Sequence, residues 1–274
     1  MNDLKITQKE FELFRDYIYR EVGISLAAHK ITLVQGRLSK RLRHLGLGSY
    51  KEYYDYMVAD KTGEEAFHLI SAISTNVTTF FREAGQWDFL EDSLPALLAK
   101  KKDKKLRIWS AACSSGEEPY SIAIFLQNHI PDFTQWDIKI LATDISKKVL
   151  QKAIDGVYEE KDIQSLPKHL LSNSFDALEG TPRRYRVKAP LRDRVMFRMF
   201  NLVYDNFGLF KNPFDIIFCR NVMIYFDAPT QQQLISHFHR VLAKEGWLFV
   251  GHSESLTRNK EEFKLLRPSI YQKI

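Results

Sequence analysis

The stretch Leu106-Arg-Ile-Trp-Ser-Ala-Ala-Cys-Ser-Ser-Gly-Glu-Glu-Pro-Tyr-Ser121 decides the fold. Leu106, Ile108 and Trp109 suit a buried strand, and residues 111–116 make a turn of small side chains. Pro119 suits the first turn of a helix, where its missing N–H costs nothing. A strand, a bare turn and a helix in that order are where α/β proteins place a nucleotide-like ligand. This turn differs from the dinucleotide and P-loop versions. It has one glycine, no GxGxxG, and no Lys-Ser/Thr after the glycine. Glu117 and Glu118 stand there instead. Two carboxylates repel a pyrophosphate and suit a cationic or hydroxyl-rich ligand. The residues leave two readings open, a structural tight turn and a ligand loop.

Outward from this stretch, strands and helices alternate. Strands are expected at 106–110, 138–143, 195–200, 214–219 and 247–251, with helices up to 129, over 147–154 and over 231–242. The strands are apolar on both faces, as a buried parallel sheet requires, so the reading is a doubly wound α/β domain. Residues 156–194 interrupt it with Pro167, Pro182, Pro190 and many charges, as a small insertion at the sheet edge. The end, residues 269–274, reads as an antiparallel edge strand. Before residue 75 the pattern is all-helical. Three capping-box patterns, Thr7 to Glu10, Ser49 to Glu52 and Thr62 to Glu65, each open an amphipathic run. Phe11, Phe14, Ile18 and Val22 share one helical face, and Val34, Leu38, Leu42 and Leu45 another; Gly46 ends the second helix.

A chain of 274 residues can bury a full α/β core and carry a second, smaller domain. Its 45% hydrophobic and 27% charged residues are those of a globular protein in water. No apolar run approaches the ~20 residues of a membrane span, and the first residues lack the apolar core of a signal peptide. Cys113 and Cys219 have no metal spacing and read as reduced thiols of a cytoplasmic protein. The net charge of +6 favours an acidic partner without naming it.

Ligands of open α/β sheets lie outside the carboxyl ends of the strands. Asp144 ends one strand, where it can accept from both hydroxyls of a ribose or serve as a helix N-cap. Asn201 ends another, as a reader of an adenine edge or a turn residue. Arg220 and Asn221 follow the most apolar strand; the cation needs a ligand or a carboxylate there. Residues 76–83 interleave polar Asn76, Thr78 and Arg82 with apolar Val77, Phe80 and Phe81, as a segment packed against something. Tyr225 is by default a core or interface aromatic. Between Glu21 and Glu52 there is no acid, while Arg37, Arg41 and His44 flank one apolar stripe; that face is either solvated or meant for an anionic partner.

At these residues the sequence closely resembles one family, the chemotaxis receptor methyltransferases called CheR. Asn76-Val-Thr-Thr-Phe-Phe-Arg-Glu83, Trp109-Ser-Ala-Ala-Cys-Ser-Ser-Gly-Glu-Glu-Pro-Tyr-Ser121, Ala142-Thr-Asp144, Phe218-Cys-Arg-Asn-Val-Met-Ile-Tyr-Phe-Asp227 and Gly251-His-Ser-Glu254 look like its signatures, in its order and spacing. The resemblance implies an all-helical N-terminal domain (1–75, receptor-facing) and a linker (76–90) contributing to the cofactor site. It then implies a Rossmann-like methyltransferase domain (91–274) bearing a small β-subdomain at about 156–194. The implied activity is transfer of a methyl group from S-adenosylmethionine (SAM) to glutamate side chains of membrane chemoreceptors. The product cofactor would be S-adenosylhomocysteine, with no metal. Asn76, Thr78 and Arg82 would contact SAM near the methionine end, and Glu118 a polar end, with Glu117 the ambiguous neighbour. Asp144 would hold the ribose; Asn201 and Leu202 would flank the adenine. Arg220 and Asn221 would border the site, Arg82 and Tyr225 would be the catalytic residues, and Arg37 and Arg41 would meet the receptor. The implied partner is the cytoplasmic helical domain of the receptors, met by a cytoplasmic monomer that neither inserts in the membrane nor binds nucleic acid. One departure concerns Leu178-Glu-Gly-Thr-Pro-Arg-Arg-Tyr185, which shows no clear glycine-rich hairpin where some members bind a receptor C-terminal pentapeptide.

Other chemistries fit less well. Ser253 is not flanked as a nucleophile elbow requires. A methyltransferase acting on nucleic acid shares fold and charge and is the competing reading. Asn212-Pro-Phe-Asp215 only echoes the Asn/Asp-Pro-Pro-Tyr-like motif of adenine amino methylation, and neither cysteine follows a proline as in pyrimidine C5 enzymes.

Overall fold

The computed structural model describes residues 4–74, 76–256 and 261–274. Residues 1–3 and Thr75, at the two ends of the expected helical domain, lie outside them. The chain forms two compact units, Met1–Thr75 with Tyr225–Thr230, and Asn76–Ile224 with Gln231–Ile274.

The first unit contains α1 (Gln8–Val22), α2 (Ile31–Leu45), α3 (Tyr50–Ala59) and α4 (Glu64–Ile73). Thr7 opens α1 with a complete capping box, and Gly23 closes it at φ 72°. Phe11, Phe14, Ile18 and Val22 are buried, as are Val34, Leu38 and Leu42 of α2. Ser49 caps α3 through Glu52 N (3.1 Å), but the Glu52 carboxylate accepts from Gly48 N (2.8 Å) instead of completing the box. The third box does not form. Gly63 is the N-cap of α4, and the Asp60 carboxylate takes the backbone N–H groups of Thr62 and Glu65. The Glu65 carboxylate is engaged elsewhere, beneath Arg41.

The second unit runs α5 (Ala84–Ala99), β1 (Lys105–Ala111), α6 (Glu117–His129), β2 (Asp137–Asp144) and α7 (Lys147–Asp155). An insertion follows: β3 (Val157–Glu159), α8 (Glu160–Ile163), α9 (Lys168–Ser174), β4 (Phe175–Leu178), β5 (Arg184–Val187) and α10 (Ala189–Arg192). The chain then completes the main sheet with β6 (Val195–Met199), β7 (Phe214–Cys219), α11 (Ala228–Val241), β8 (Leu242–Val250), β9 (Phe263–Arg267) and β10 (Ile270–Lys273). The seven strands lie in the order β6-β2-β1-β7-β8-β10-β9. β1 is parallel to both β2 and β7. Every residue of β7 is buried, which only helices on both faces permit.

Trp109 of β1 fixes one face of this sheet. Its ring lies 4.7–5.6 Å from Phe200, Phe207, Phe210, Phe214 and Phe238, and its Nε1 donates to Thr143 Oγ1 (2.9 Å). The indole thus buries its apolar body without orphaning its one donor. On the other face Phe218 stacks on Phe249 at 4.5 Å and on Trp87 at 6.0 Å.

Two expectations are corrected here. The terminal strand β10 is antiparallel but not at the edge, because β9 pairs outside it. β9 buries only Phe263 fully, so its sequence carries little strand signal. The last parallel strand starts at Leu242, five residues before the expected Trp247, running through Ala243, Lys244, Glu245 and Gly246. The insertion is a three-stranded sheet in the order β3-β5-β4. Although residues 178–185 lack a glycine-rich pattern, β4 and β5 do form an antiparallel hairpin, with Gly180 in its turn at φ 118°. Among the described residues no helix is long and apolar enough to cross a membrane.

Candidate active site

Between β1 and α6 the backbone adopts conformations that few side chains tolerate. Ala112 (φ 66°) and Ser114 (φ 49°) are left-handed without being glycines, and Gly116 sits at φ 96°. A Cβ on Gly116 would stand 2.8 Å from Tyr158 Oη and 2.9 Å from Ala153 Cβ, so this position admits only glycine. Left-handed non-glycine residues cost ~1–3 kcal/mol each and persist only where the surroundings hold them. Here the restraints are explicit. Cys113 N donates to Thr143 O (2.8 Å), Ser114 N to Asp144 Oδ2 (2.9 Å), and Tyr158 Oη to Ser115 O (2.8 Å). The loop is a tight turn held under strain, and such turns cluster at ligand sites.

Asp144 ends β2 beside it. Its Oδ1 accepts from Ser146 N (2.9 Å) while Oδ2 holds the loop. Ser146, not Asp144, is the N-cap residue of α7. Burial pushes the Asp144 carboxyl above its ordinary value, against the pull of the Ser146, Ser114 and Ile145 amides. Each of its oxygens keeps acceptor capacity for a further donor.

Glu118 and Arg220 form a buried pair that joins three elements. Glu118 Oε1 accepts from Ser110 Oγ (2.6 Å) and Oε2 from Arg220 Nε (2.7 Å). Arg220 Nη1 donates to Arg82 O (2.7 Å) and Gln86 Oε1 (3.1 Å), and the guanidinium lies over the Phe218 ring. Its side chain is 3% exposed, so of the two readings open for Arg220 the ion pair is realised. Glu117 turns away from this network. Its carboxylate accepts from Ser115 Oγ (2.7 Å) with Lys152 Nζ at 3.8 Å, and burial pushes its carboxyl up.

The 76–83 segment packs onto the loop. Ser114 Oγ donates to Asn76 O (3.1 Å), and Phe81 N donates to Ser121 Oγ (2.9 Å). Arg82 Nη1 donates to Val77 O (3.2 Å), and Thr78 lies half-buried between them. Asn201 makes a turn: its Oδ1 accepts from Val203 N (3.0 Å) and its N–H donates to Asp205 Oδ2 (2.7 Å). The bond from Phe200 N to Asp144 O (3.2 Å) sets Asn201 and the buried Leu202 just past the Asp144 end of the sheet.

Two further carboxylates belong to the site. Glu254 is buried and accepts from Gly251 N (2.6 Å), Asn221 N (3.0 Å) and Ile224 N (3.2 Å), holding Asn221 at φ 59°. A Cβ on Gly251 would fall 2.6 Å from Asn221 Nδ2. Glu83, itself at φ 64°, accepts on Oε1 from His252 N (3.3 Å) and Asn221 Nδ2 (3.4 Å). Both acids were visible in the quoted motifs, yet only their contacts give them roles as braces for the ends of β7 and β8.

Asn76, Arg82, Glu118, Asp144, Asn201, Leu202, Arg220 and Asn221 therefore gather at the carboxyl ends of β1, β2, β6 and β7 or on the segment packed there. Tyr225 belongs to the helical unit, where its carbonyl accepts from Ser25 N (2.8 Å). The expected partner-facing arginines turn inward. Arg37 Nη1 donates to the carbonyls of Ala72, Ile73 and Ser74, the unsatisfied end of α4. Arg41 grips buried Glu65 with both Nε (2.8 Å) and Nη2, and Tyr53 Oη completes the cluster (2.8 Å). The exposed basic residues of α2 are instead Lys40, Arg43 and His44.

Family comparison completes the picture. The model "CheR methyltransferase, SAM binding domain" matches residues 76–271, and "CheR methyltransferase, all-alpha domain" matches residues 9–74. This chain belongs to the CheR family. The chemotaxis protein methyltransferase of Borreliella burgdorferi is 38% identical, over 99% of this chain and 96% of that one. Chemotaxis protein methyltransferase 2 of Pseudomonas aeruginosa is 40% identical (97% and 93% covered), and the Escherichia coli chemotaxis protein methyltransferase 37% (98% and 92%). This CheR protein is thus a SAM-dependent methyltransferase, with an all-helical domain ahead of an α/β SAM-binding domain. The site fits that cofactor: a bare strained loop for close approach, and a buried carboxylate, Asp144, with acceptor capacity to spare for hydroxyls.

Proposed function

We propose that this protein transfers the methyl group of SAM to glutamate side-chain carboxylates of chemoreceptors, leaving methyl esters and S-adenosylhomocysteine. The observation that carries the reading is the match of both CheR domains to relatives named for chemotaxis methylation over nearly the whole chain. Bound SAM supplies a methyl group activated by sulfonium, with a neutral thioether as leaving group. Asp144 holds the ribose hydroxyls, and Asn201 and Leu202 flank the adenine. Asn76, Thr78 and Arg82 meet the methionine end, with Glu118, Arg220 and Asn221 bordering it. Arg220, neutralised by Glu118, anchors the backbone of Arg82 and so aims its side chain.

Arg82 and Tyr225 offer donors that steer one oxygen of the acceptor. No general base is required, because a glutamate is already ionised at neutral pH. The displacement joins opposite charges, so the site contributes alignment and exclusion of water more than proton transfer. The protein acts as a cytoplasmic monomer on the cytoplasmic helical domain of its receptor and does not enter the bilayer. The acid-free helix α2 faces that partner. Lys40 and Arg43 present its exposed charge, beside His44, while Arg37 and Arg41 hold the helix in place.

The test is transfer of label from methyl-labelled SAM to receptor-containing membranes. Alkali-labile label released as methanol is expected. Alkali-stable label, or label in added DNA or RNA, overturns the reading in favour of the nucleic-acid or an amino-methylating alternative.

A further inference from the structure

Three arginines of the inserted subdomain line one cavity of about 500 Å³: Arg184, Arg186 and Arg192. Arg184 and Arg186 are two apart on β5, so both point to the face opposite Val187, which is fully buried. Their cross-strand partners Leu178 and Val157, with Ile154 of α7, give the cavity an apolar floor. Arg192 enters from α10, and its Nε is buried with no hydrogen-bond partner among the described residues.

Among the described residues these arginines have no direct ion-pair partner, although Asp155 lines the cavity and Glu159 lies across from Arg184 and feels its charge. Asp155 is the one acid lining the cavity, and its Oδ1 accepts from Gln151 Nε2 (2.9 Å). Asp176 and Glu159 sit across from Arg186 and Arg184 on the neighbouring strands. They pair instead with Lys188 (4.0 Å) and Lys161 (2.7 Å). Arg184 and Arg186 are exposed, so solvent and salt screen their mutual repulsion; the buried Arg192 Nε is the donor left without an acceptor, which is costly. An anion in the cavity would give that donor an acceptor and the three guanidinium groups a shared counter-charge.

We infer that this cavity is a binding site for a small phosphorylated ligand, distinct from the SAM site. Guanidinium groups pair with anions in two-pronged fashion. Three of them offer more donors than one carboxylate accepts, while a phosphate or pyrophosphate presents oxygens on all sides. The apolar floor suits an uncharged body attached to it, as in a nucleotide. An adjoining cavity of about 460 Å³ shares Asp155, Val157 and Arg184 and adds Lys148 and Lys152, but also Glu159 and Asp162. The phosphate end therefore belongs among the arginines, where acids are fewest.

The experiment titrates the full chain with inorganic pyrophosphate and with ADP by calorimetry, with and without saturating S-adenosylhomocysteine. Saturable binding is expected, unchanged by S-adenosylhomocysteine and weakened at least about tenfold by Arg186→Gln/Arg192→Gln. S-adenosylhomocysteine affinity and thermal stability should match the parent, which shows that the variant is folded. The inference is overturned by any of three results: no saturable binding up to about 1 mM, equal binding by the variant, or displacement by S-adenosylhomocysteine. It is also overturned if neither phosphate compound binds and an acidic receptor-derived peptide occupies the arginines instead.

Discussion

Replacing Arg220 with Met probes the joint on which the site is built. The guanidinium is 3% exposed and serves Glu118 Oε2, Arg82 O and Gln86 Oε1 at 2.7, 2.7 and 3.1 Å. Methionine fills much of the volume, so the loss is mainly polar. Removing one partner of a buried ion pair costs about 3–5 kcal/mol. Each orphaned acceptor adds about 1–3 kcal/mol. These effects share one side chain and are not additive, so about 4 kcal/mol is expected for the whole. For a unit of this size 1 kcal/mol corresponds to about 2–4 °C, so Tm should fall by about 8–16 °C. Trp87, Trp109, Trp136 and Trp247 all lie in the second unit, so tryptophan fluorescence in a urea titration reads that unit. The double variant Arg220→Met/Glu118→Gln should regain about 2 kcal/mol, because the neutral amide leaves no buried charge while its oxygen still accepts from Ser110. A loss under about 1 kcal/mol in Arg220→Met, or a double variant as unstable as the sum of the singles, refutes the reasoning.

Asp144→Ala should weaken S-adenosylhomocysteine binding by about 1–3 kcal/mol in calorimetry. In the parent, that affinity should fall on acidification, starting above the ordinary aspartate range because burial raises the Asp144 carboxyl and protonation removes its acceptors; Asp144→Asn should flatten the profile. Arg82→Ala should nearly abolish methyl transfer with Tm little changed, since Arg82 Nη1 makes one long bond to Val77 O (3.2 Å); normal turnover removes it from the catalytic assignment. Tyr225→Phe should lower kcat more than cofactor affinity, and the opposite split reverses its role. Lys40→Glu/Arg43→Glu should suppress receptor methylation with S-adenosylhomocysteine binding intact, whereas Arg41→Ala should chiefly cost stability, about 1–3 kcal/mol, by leaving the buried Glu65 carboxylate with only the Tyr53 hydroxyl as hydrogen-bond donor among the described residues; equal, small effects of both substitutions on receptor methylation would contradict this division.

The parts of this molecule legible in its sequence are those where local chemistry has one solution. Thr7 and Glu10 can do little but cap α1, and the apolar run of β7 must be buried on both faces. The strand–turn–helix at residues 106–121 was legible as a tight turn, structural or ligand-holding; the close packing of Gly116 on Tyr158 and Ala153 was not. What stayed hidden depends on long-range contacts. Arg37 and Arg41 read as a partner-facing pair because charge and spacing are visible, whereas the carbonyl end of α4 and the buried Glu65 that claim them lie about 24–37 positions away. Glu83 and Glu254 looked like ordinary acids until the strained backbones of Asn221 and Glu83 gave them amides to hold. β9 escaped notice because one buried phenylalanine in five residues is not a pattern.

The central claim is that the acceptor is a glutamate side chain on a chemoreceptor. Its most direct measurement is peptide mass spectrometry of receptor membranes treated with this protein and SAM. The account predicts one added methylene on glutamates of the receptor's cytoplasmic helices, lost on brief alkali treatment and absent with Arg82→Ala. Methyl groups found instead on lysine, on nucleic acid, or on receptor residues indifferent to alkali would contradict it.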